Sequence, residues 1–189
     1  MAYYPIMLDL SNKKCLIVGG GSVAERKAND LLKAEACVTI ISPKVTEGIE
    51  NLYRERRVDL KLREYQQGDL EGYFLVIAAT DVPEVNEEIY AEACDRGILI
   101  NTVDQKERSM FISPAVLRKG DLIIAISTSG KSPLLARKIK QFLDDVISDD
   151  IVNIVYKLGD IRDDAKARFD NIEDRIRYYE DVIKKYIRE

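Results

Sequence analysis

Residues 15–27 read CLIVGGGSVAERK: an apolar run, three glycines in a row, then a stretch with helical spacing. A strand that enters a helix through such a turn constrains the fold more than anything else in the chain. Gly19, Gly21 and Ala24 fit the pattern G-x-G-x-x-G/A. Its first glycine makes a tight turn, its second lets the backbone approach a pyrophosphate, and its third small residue lets the helix pack closely on the strand. The helix that follows offers unpaired N–H groups and the positive end of its dipole. Glycine-rich turns also join strands to helices with no ligand involved, so context decides. Here residues 16–18 form a buried-strand run, and Val23, Ala24, Ala28, Leu31 and Leu32 share one helical face. The turn therefore assigns Gly19, Gly21, Ser22 and Val23 to binding a dinucleotide.

The segments that follow keep the same rhythm. Cys37–Ile41 (CVTII) reads as a second strand, 44–55 as a polar helix and 58–63 as a third, alternating strand. The continuous apolar run 74–79 (FLVIAA) is the mark of a parallel strand buried on both faces. Val85, Ile89 and Ala93 space a helix up to Gly97, and a fifth strand begins at Ile98. Strand and helix in alternation predict an α/β, Rossmann-like, doubly wound parallel sheet. After it, 110–117 and 122–127 read as two strands joined by the turn Arg118-Lys119-Gly120-Asp121. A helix follows with Leu135, Ile139, Phe142, Leu143 and Val146 on one face. In the tail, Ile161, Ala165, Phe169, Ile172, Ile176, Tyr179, Ile183 and Tyr186 recur at spacings of three and four, predicting one amphipathic helix or two.

Composition removes whole classes of chemistry. The chain has no histidine, so Ser-His and Cys-His nucleophile pairs, an imidazole base and imidazole metal ligands are all excluded. A net charge of −4 leaves no basic footprint for nucleic acid. No apolar run approaches the ~20 residues of a membrane span, and the start, MAYYPIMLDL, lacks a basic signal region. Cys15, Cys37 and Cys94 are far apart with no C-x-x-C, which predicts buried, reduced thiols and a cytoplasmic protein.

Ligands of open α/β sheets bind beyond the carboxyl ends of the strands. The candidates there are 19–22, Ser42-Pro43-Lys44, Thr80-Asp81 and 101–104. Thr80, Asp81 and Asn101 also suit helix caps and turns, the commoner use for Asp81. An acidic residue usually closes the second strand to bind the ribose. Ser42-Pro43-Lys44 stands there instead, so the fingerprint alone does not choose NAD over NADP, and Ser42 is left as a ribose ligand. In Thr128-Ser129-Gly130-Lys131-Ser132-Pro133, Ser132 and Pro133 read as a helix start. Lys131 is electrostatically misplaced at that positive helix end unless an anion visits.

Together these segments resemble the precorrin-2 dehydrogenases, the oxidase module of siroheme synthases. The resemblance rests on Pro5-Ile6, on VGGGSVAERK (18–27), on Ala78-Ala79-Thr80-Asp81 with Asn86, and on Asn101-Thr102-Val103-Asp104. It continues through Phe111-Ile112 with Pro114 and STSGKSP (127–133) with Ala136-Arg137. One departure is Gln105-Lys106-Glu107-Arg108, where the family is richer in proline and small residues.

The resemblance implies NAD-dependent oxidation of precorrin-2 to sirohydrochlorin in siroheme biosynthesis by a homodimer, with Asp104 as the catalytic carboxylate. A carboxylate base also suits a chain without histidine. The family's organisation maps to an NAD-binding domain over 1–109, a hairpin-and-helix dimerisation segment over 110–147 and a small helical domain over 148–189. An acidic tetrapyrrole gives Ser129, Lys131 and Arg137 a purpose, and the turn residues Arg118 and Lys119 a weaker one. Some members also insert metal as ferrochelatases. Without histidine or C-x-x-C no tight metal site is expected, and chelation is expected to be absent or weak. The competing reading is a non-catalytic dinucleotide-sensing regulatory domain.

Overall fold

Strands buried on both faces read as unbroken apolar runs, while an exposed edge strand alternates. In the computed structural model, which describes residues 3–185, β1 (Lys14–Val18), β2 (Cys37–Ile41), β4 (Leu75–Ala78) and β5 (Leu99–Thr102) are nearly continuously buried. β3 (Val58–Lys61) alternates, and it is an edge. The five strands form one parallel sheet in the order β3-β2-β1-β4-β5. β5, the other edge, is partly covered by the chain that returns beside it: the Met110 N–H donates to the Ile100 carbonyl at 2.9 Å.

The sheet is wound on both sides. α1 (Ser22–Leu32) and α2 (Glu47–Arg54) cover one face, where Ala24, Ala28, Leu31, Ile49 and Leu52 pack on Cys15, Ile17, Val38, Ile40 and Ile77. α3 (Pro83–Arg96) covers the other, with Ile89 and Ala93 against Leu16, Val18, Val76 and Ile100. Ile17 and Ile40 have no exposed surface, and truncating either to alanine costs about 2–5 kcal/mol. This is the doubly wound α/β sheet expected from the alternating pattern.

Several boundaries differ from the sequence expectation. α2 begins at Glu47 rather than residue 44, because Thr46 caps it by accepting from the Ile49 N–H at 3.3 Å. The same hydroxyl donates to the Glu25 carboxylate at 2.6 Å, tying α2 to α1. No helix joins β3 to β4. The 62–74 segment packs Leu70, Tyr65 and Tyr73 into the core instead. The Glu92 carboxylate of α3 holds it by accepting from the Tyr65 hydroxyl (2.5 Å) and the Gly68 (2.9 Å) and Leu70 (3.4 Å) N–H groups. Cys15 is buried, but Cys37 and Cys94 are exposed. Cys37 starts β2 on the face that α1 and α2 do not cover, and Cys94 lies beside the inward-facing Ala93.

The chain divides into two compact units at residues 112 and 113. The second holds the antiparallel hairpin β6 (Ala115–Lys119) and β7 (Leu122–Ile126), then α4 (Pro133–Val146), α5 (Asp149–Asp160), α6 (Arg162–Arg168) and α7 (Ile172–Lys184). The hairpin is shorter than expected. Residues 110–114 are not strand, and Lys119 pairs with Leu122 across Gly120-Asp121. The stretch of the tail from Ile161 falls on two helices, α6 and α7, within the expected one or two, and the break between them comes where Asn171 caps α7 by accepting from the Asp174 N–H at 2.8 Å. Its expected apolar stripe is broken accordingly: Ala165 is buried, whereas Ile172 and Ile176 are exposed. Tyr186 lies outside the described residues. Among the described residues, no helix is long and apolar enough to cross a membrane.

Candidate functional site

In this strand order the chain reverses direction between β1 and β4, and an open α/β sheet offers its ligand crevice at such a point. The three glycines that follow β1 have three different uses. Gly19 adopts φ +124°, and a Cβ there would overlap the Ala79 carbonyl oxygen. Any side chain would break the β1–β4 seam. At Gly20 a Cβ would overlap the Lys44 carbonyl oxygen, so this glycine admits the loop after β2. Gly20 carries no role in the sequence reading, since the fingerprint leaves its position free.

Gly21 differs from both. Its backbone is ordinary (φ −80°, ψ −175°), and a Cβ would meet nothing within 4 Å. Neither strain nor packing requires glycine here. Open space lies over the residue that caps α1, whose first intrahelical bond runs from the Glu25 N–H to the Gly21 carbonyl at 3.0 Å. The N–H groups of Ser22, Val23 and Ala24 therefore have no acceptor within the helix. A free helix N-terminus facing open space fits the pyrophosphate of a dinucleotide.

The neighbouring strands bring their own ends to this edge. After β2, Ser42 is buried and donates to the Lys44 carbonyl at 2.7 Å, while Pro43 and Lys44 are exposed. The donor of Ser42 is thus engaged within its own loop, leaving its lone pairs to accept. After β4, Thr80 is held by Asn86, a buried amide of α3. The Asn86 Nδ2 donates to the Thr80 carbonyl at 3.0 Å, and the Asn86 Oδ1 accepts from the Thr80 hydroxyl at 2.8 Å. Asn86 fixes this turn, and its burial at 4% exposure is invisible in sequence. Asp81 is exposed.

After β5 comes Asp104, an exposed carboxylate in left-handed backbone (φ +60°). A non-glycine residue in that region carries strain of about 1–3 kcal/mol, which persists only where its surroundings enforce it. Here Ser109 enforces it. Its hydroxyl accepts from the Thr102 N–H (2.9 Å) and faces the Thr102 (3.2 Å) and Gln105 (2.8 Å) carbonyls, pinning both ends of the turn. Asn101 serves the scaffold instead, its amide donating to the Phe111 carbonyl at 3.0 Å. Ser109 is missed by sequence reasoning, because a single serine a few residues after a turn carries no pattern, whereas Asn86 is singled out in the sequence without its role.

Gly19, Gly21, Ser22, Val23, Ser42, Pro43, Lys44, Thr80 and Asp104 thus share one edge of the first unit. Ser129, Lys131 and Arg137 belong to the second unit and are exposed there. Ser129 and Gly130 are both left-handed (φ 52° and 71°), and the Ser132 hydroxyl caps α4 through the Leu135 N–H at 3.2 Å. Lys119 serves the fold of that unit. Its ammonium donates to the Asp144 and Ile147 carbonyls, both at 2.7 Å, and closes the negative end of α4. Among the described residues, no group of three or more Cys, Asp or Glu is arranged to hold a metal ion.

Known proteins share this architecture. Residues 6–115 match the family model described as "Putative NAD(P)-binding", and residues 119–145 match "Sirohaem biosynthesis protein central". Siroheme synthase 1 of Aeromonas salmonicida is 38% identical over 183 residues, covering 97% of this chain and 39% of that protein. Siroheme synthase of Chromobacterium violaceum is 37% identical over 184 residues, covering 97% and 39%. The chain spans about two fifths of the length of these curated relatives. The solved structure of SirC, a precorrin-2 dehydrogenase, superposes with a TM-score of 0.79 at 26% identity, covering 96% of this chain and 89% of that one. With the glycine turn and the whole parallel sheet inside the matched residues, the chain belongs to the putative NAD(P)-binding family, and residues 119–145 carry the segment that family shares with the centre of sirohaem biosynthesis proteins.

Proposed function

We propose that the protein oxidises precorrin-2 to sirohydrochlorin with NAD as acceptor. The observation that carries this reading is the pairing, on one sheet edge, of the open backbone at Gly21 with the strained, exposed carboxylate of Asp104. NAD supplies the acceptor for the hydride when it is bound. The chain's own residues do the rest. The N–H groups at the start of α1 hold the pyrophosphate, and Gly21 leaves room for it. Thr80, Ser42, Pro43 and Lys44 flank that position in the loops just past the two neighbouring strands. Lys44 is exposed and cationic, so the expected preference for NAD over NADP rests on kinship with the dehydrogenases.

Losing a hydride leaves the macrocycle with a proton to shed, and Asp104 takes it as general base. Lys131, Arg137 and the Ser129 hydroxyl receive substrate carboxylates in this reading. The functional division is then 1–109 for the cofactor, 110–147 for dimerisation and 148–189 as a helical domain. A homodimer is supported by α4, whose apolar face is bare in the single chain: Leu135 is 52%, Phe142 64% and Val146 55% exposed. An apolar stripe of that length calls for a partner, and a second copy of the chain supplies the same stripe. Asp104→Asn tests the proposal: kcat should fall by about 10²–10⁴ while NAD still binds, and near-normal oxidation would remove Asp104 from the chemistry. A dinucleotide sensor, the alternative, binds NAD and never reduces it.

A further inference from the structure

Glu25 stands in the first turn of α1, where a negative charge works against a pyrophosphate at the same helix end. An acid in that place needs another occupation, and the fold gives it one. Its carboxylate accepts from the Thr46 hydroxyl at 2.6 Å. Gly48, at the start of α2, leaves room for it, since a Cβ there would overlap the Glu25 carboxylate. Thr46 in turn closes the loop that follows β2. Its N–H donates to the Gly20 carbonyl at 3.0 Å, while the Gly19 N–H donates to the Ile41 carbonyl at 2.9 Å. Residues 42–45 thus depart from the glycine turn at Gly19 and return to it at Gly20. In open α/β sheets the adenosine ribose is met at the end of this second strand, usually by an acid. Here the loop reads Ser42-Pro43-Lys44-Val45, and the nearby acid is spent on holding it.

We propose that Glu25 and Thr46 are positioning residues for the adenosine half of the cofactor. They act through the loop between them and the glycine turn, setting Ser42, Pro43 and Lys44 before the nucleotide arrives. The Thr46 hydroxyl has a single proton and gives it to Glu25, while its oxygen accepts from the Ile49 N–H at 3.3 Å to cap α2. Loss of Glu25 therefore leaves the cap and the Gly20 bond in place and removes only the tie between α1 and the loop. The loop then has to be ordered by the ligand, and that ordering is subtracted from affinity. The inference rests on NAD lying at the glycine turn, as proposed above, and is independent of Asp104 and of the second substrate.

The full chain is titrated calorimetrically with NAD and with ADP, and its thermal unfolding is followed alongside. Glu25→Gln removes the charge but keeps an amide oxygen for the Thr46 hydroxyl, so it should bind both ligands at least as tightly as the wild type. Glu25→Ala removes the acceptor too, and should bind both about three- to tenfold more weakly than the glutamine variant, the range of one lost hydrogen bond. In turnover this loss should appear in KM for NAD with kcat unchanged. Gly48→Ala removes no polar group, but its methyl displaces the end of the Glu25 side chain. It should weaken binding to a similar extent while α2 gains a better helix former, so the melting temperature should hold. An alanine variant at Glu25 that binds NAD as the glutamine variant does would overturn the inference. So would affinity that falls only in step with melting temperature across the three variants, the mark of a purely structural contact. Gly21→Asp is the reference. Unchanged NAD binding there would move the cofactor elsewhere and remove the basis of both readings, whereas weakened binding there beside equal affinities for the two Glu25 variants would overturn this inference alone.

Discussion

Substituting Gly21 by aspartate should separate folding from binding, because the two respond in opposite directions. The backbone at this position (φ −80°, ψ −175°) suits any residue, and the new Cβ meets nothing within 4 Å. Gly21 also caps α1 without a side-chain hydrogen bond. Aspartate is a better cap than glycine by a few tenths of a kcal/mol, so the free protein should be as stable as the wild type or slightly more so. Binding should suffer in two ways. The carboxylate fills the space left for the pyrophosphate, and it repels it. A like charge at ~5 Å costs about 1–3 kcal/mol as the effective dielectric falls from 80 toward 20, or roughly a 5- to 150-fold rise in Kd before any steric loss. Thermal unfolding gives the first quantity and calorimetric titration with NAD the second. Gly19→Ala is the contrast: with φ +124° and the Ala79 carbonyl in the way of the added carbon, it should lose the fold itself. A stable Gly21→Asp variant with unchanged NAD affinity would refute the placement of the cofactor at this turn.

Two further predictions concern the scaffold. Burial pushes the Glu92 carboxyl up, but the Tyr65 hydroxyl, the Gly68 and Leu70 N–H groups and the Arg96 charge outweigh it and hold the group below its ordinary 4.5. A depressed folded-state value means the stabilisation is complete above the unfolded value and disappears as pH falls through the folded one. Acid unfolding below 4.5 should thus be blunted in Glu92→Gln, while Glu92→Ala, which strands buried donors, should cost about 1–3 kcal/mol at neutral pH; an unchanged acid limb in the glutamine variant would count against this role of Glu92 in the 62–74 segment. For the proposed homodimer, a Leu135→Glu, Phe142→Glu double variant should scatter light as a folded monomer, since both side chains are already exposed in the single chain. Dimers that survive it would place the interface away from α4.

How much of this is legible in the residues depends on the range of the interaction. The sheet is legible because FLVIAA and CVTII carry their burial in their own composition, and the glycine turn because it needs a residue type at a fixed spacing. Boundaries set by a local cap, such as Thr46 or Asn171, are harder, since many threonines and asparagines cap nothing. Contacts made by a single polar side chain on a loop leave no pattern at all, whether the loop is a few residues away or more than twenty. Asn86 on Thr80, Ser109 across the Asp104 turn and Glu92 on the 62–74 segment appear only when the chain is folded. The α4 stripe shows a different limit: periodicity announces an apolar face, but not whether this chain or another covers it.

In the proposed reaction this sheet edge brings a macrocycle's hydride to NAD and its proton to Asp104. Anaerobic incubation of the protein with precorrin-2 and NAD, recording reduced cofactor and macrocycle absorption together, tests it most directly. Reduced NAD and sirohydrochlorin should rise together in equal amounts, and the Asp104→Asn protein should produce both far more slowly. NAD that binds at the glycine turn but is never reduced in the presence of precorrin-2 would contradict it.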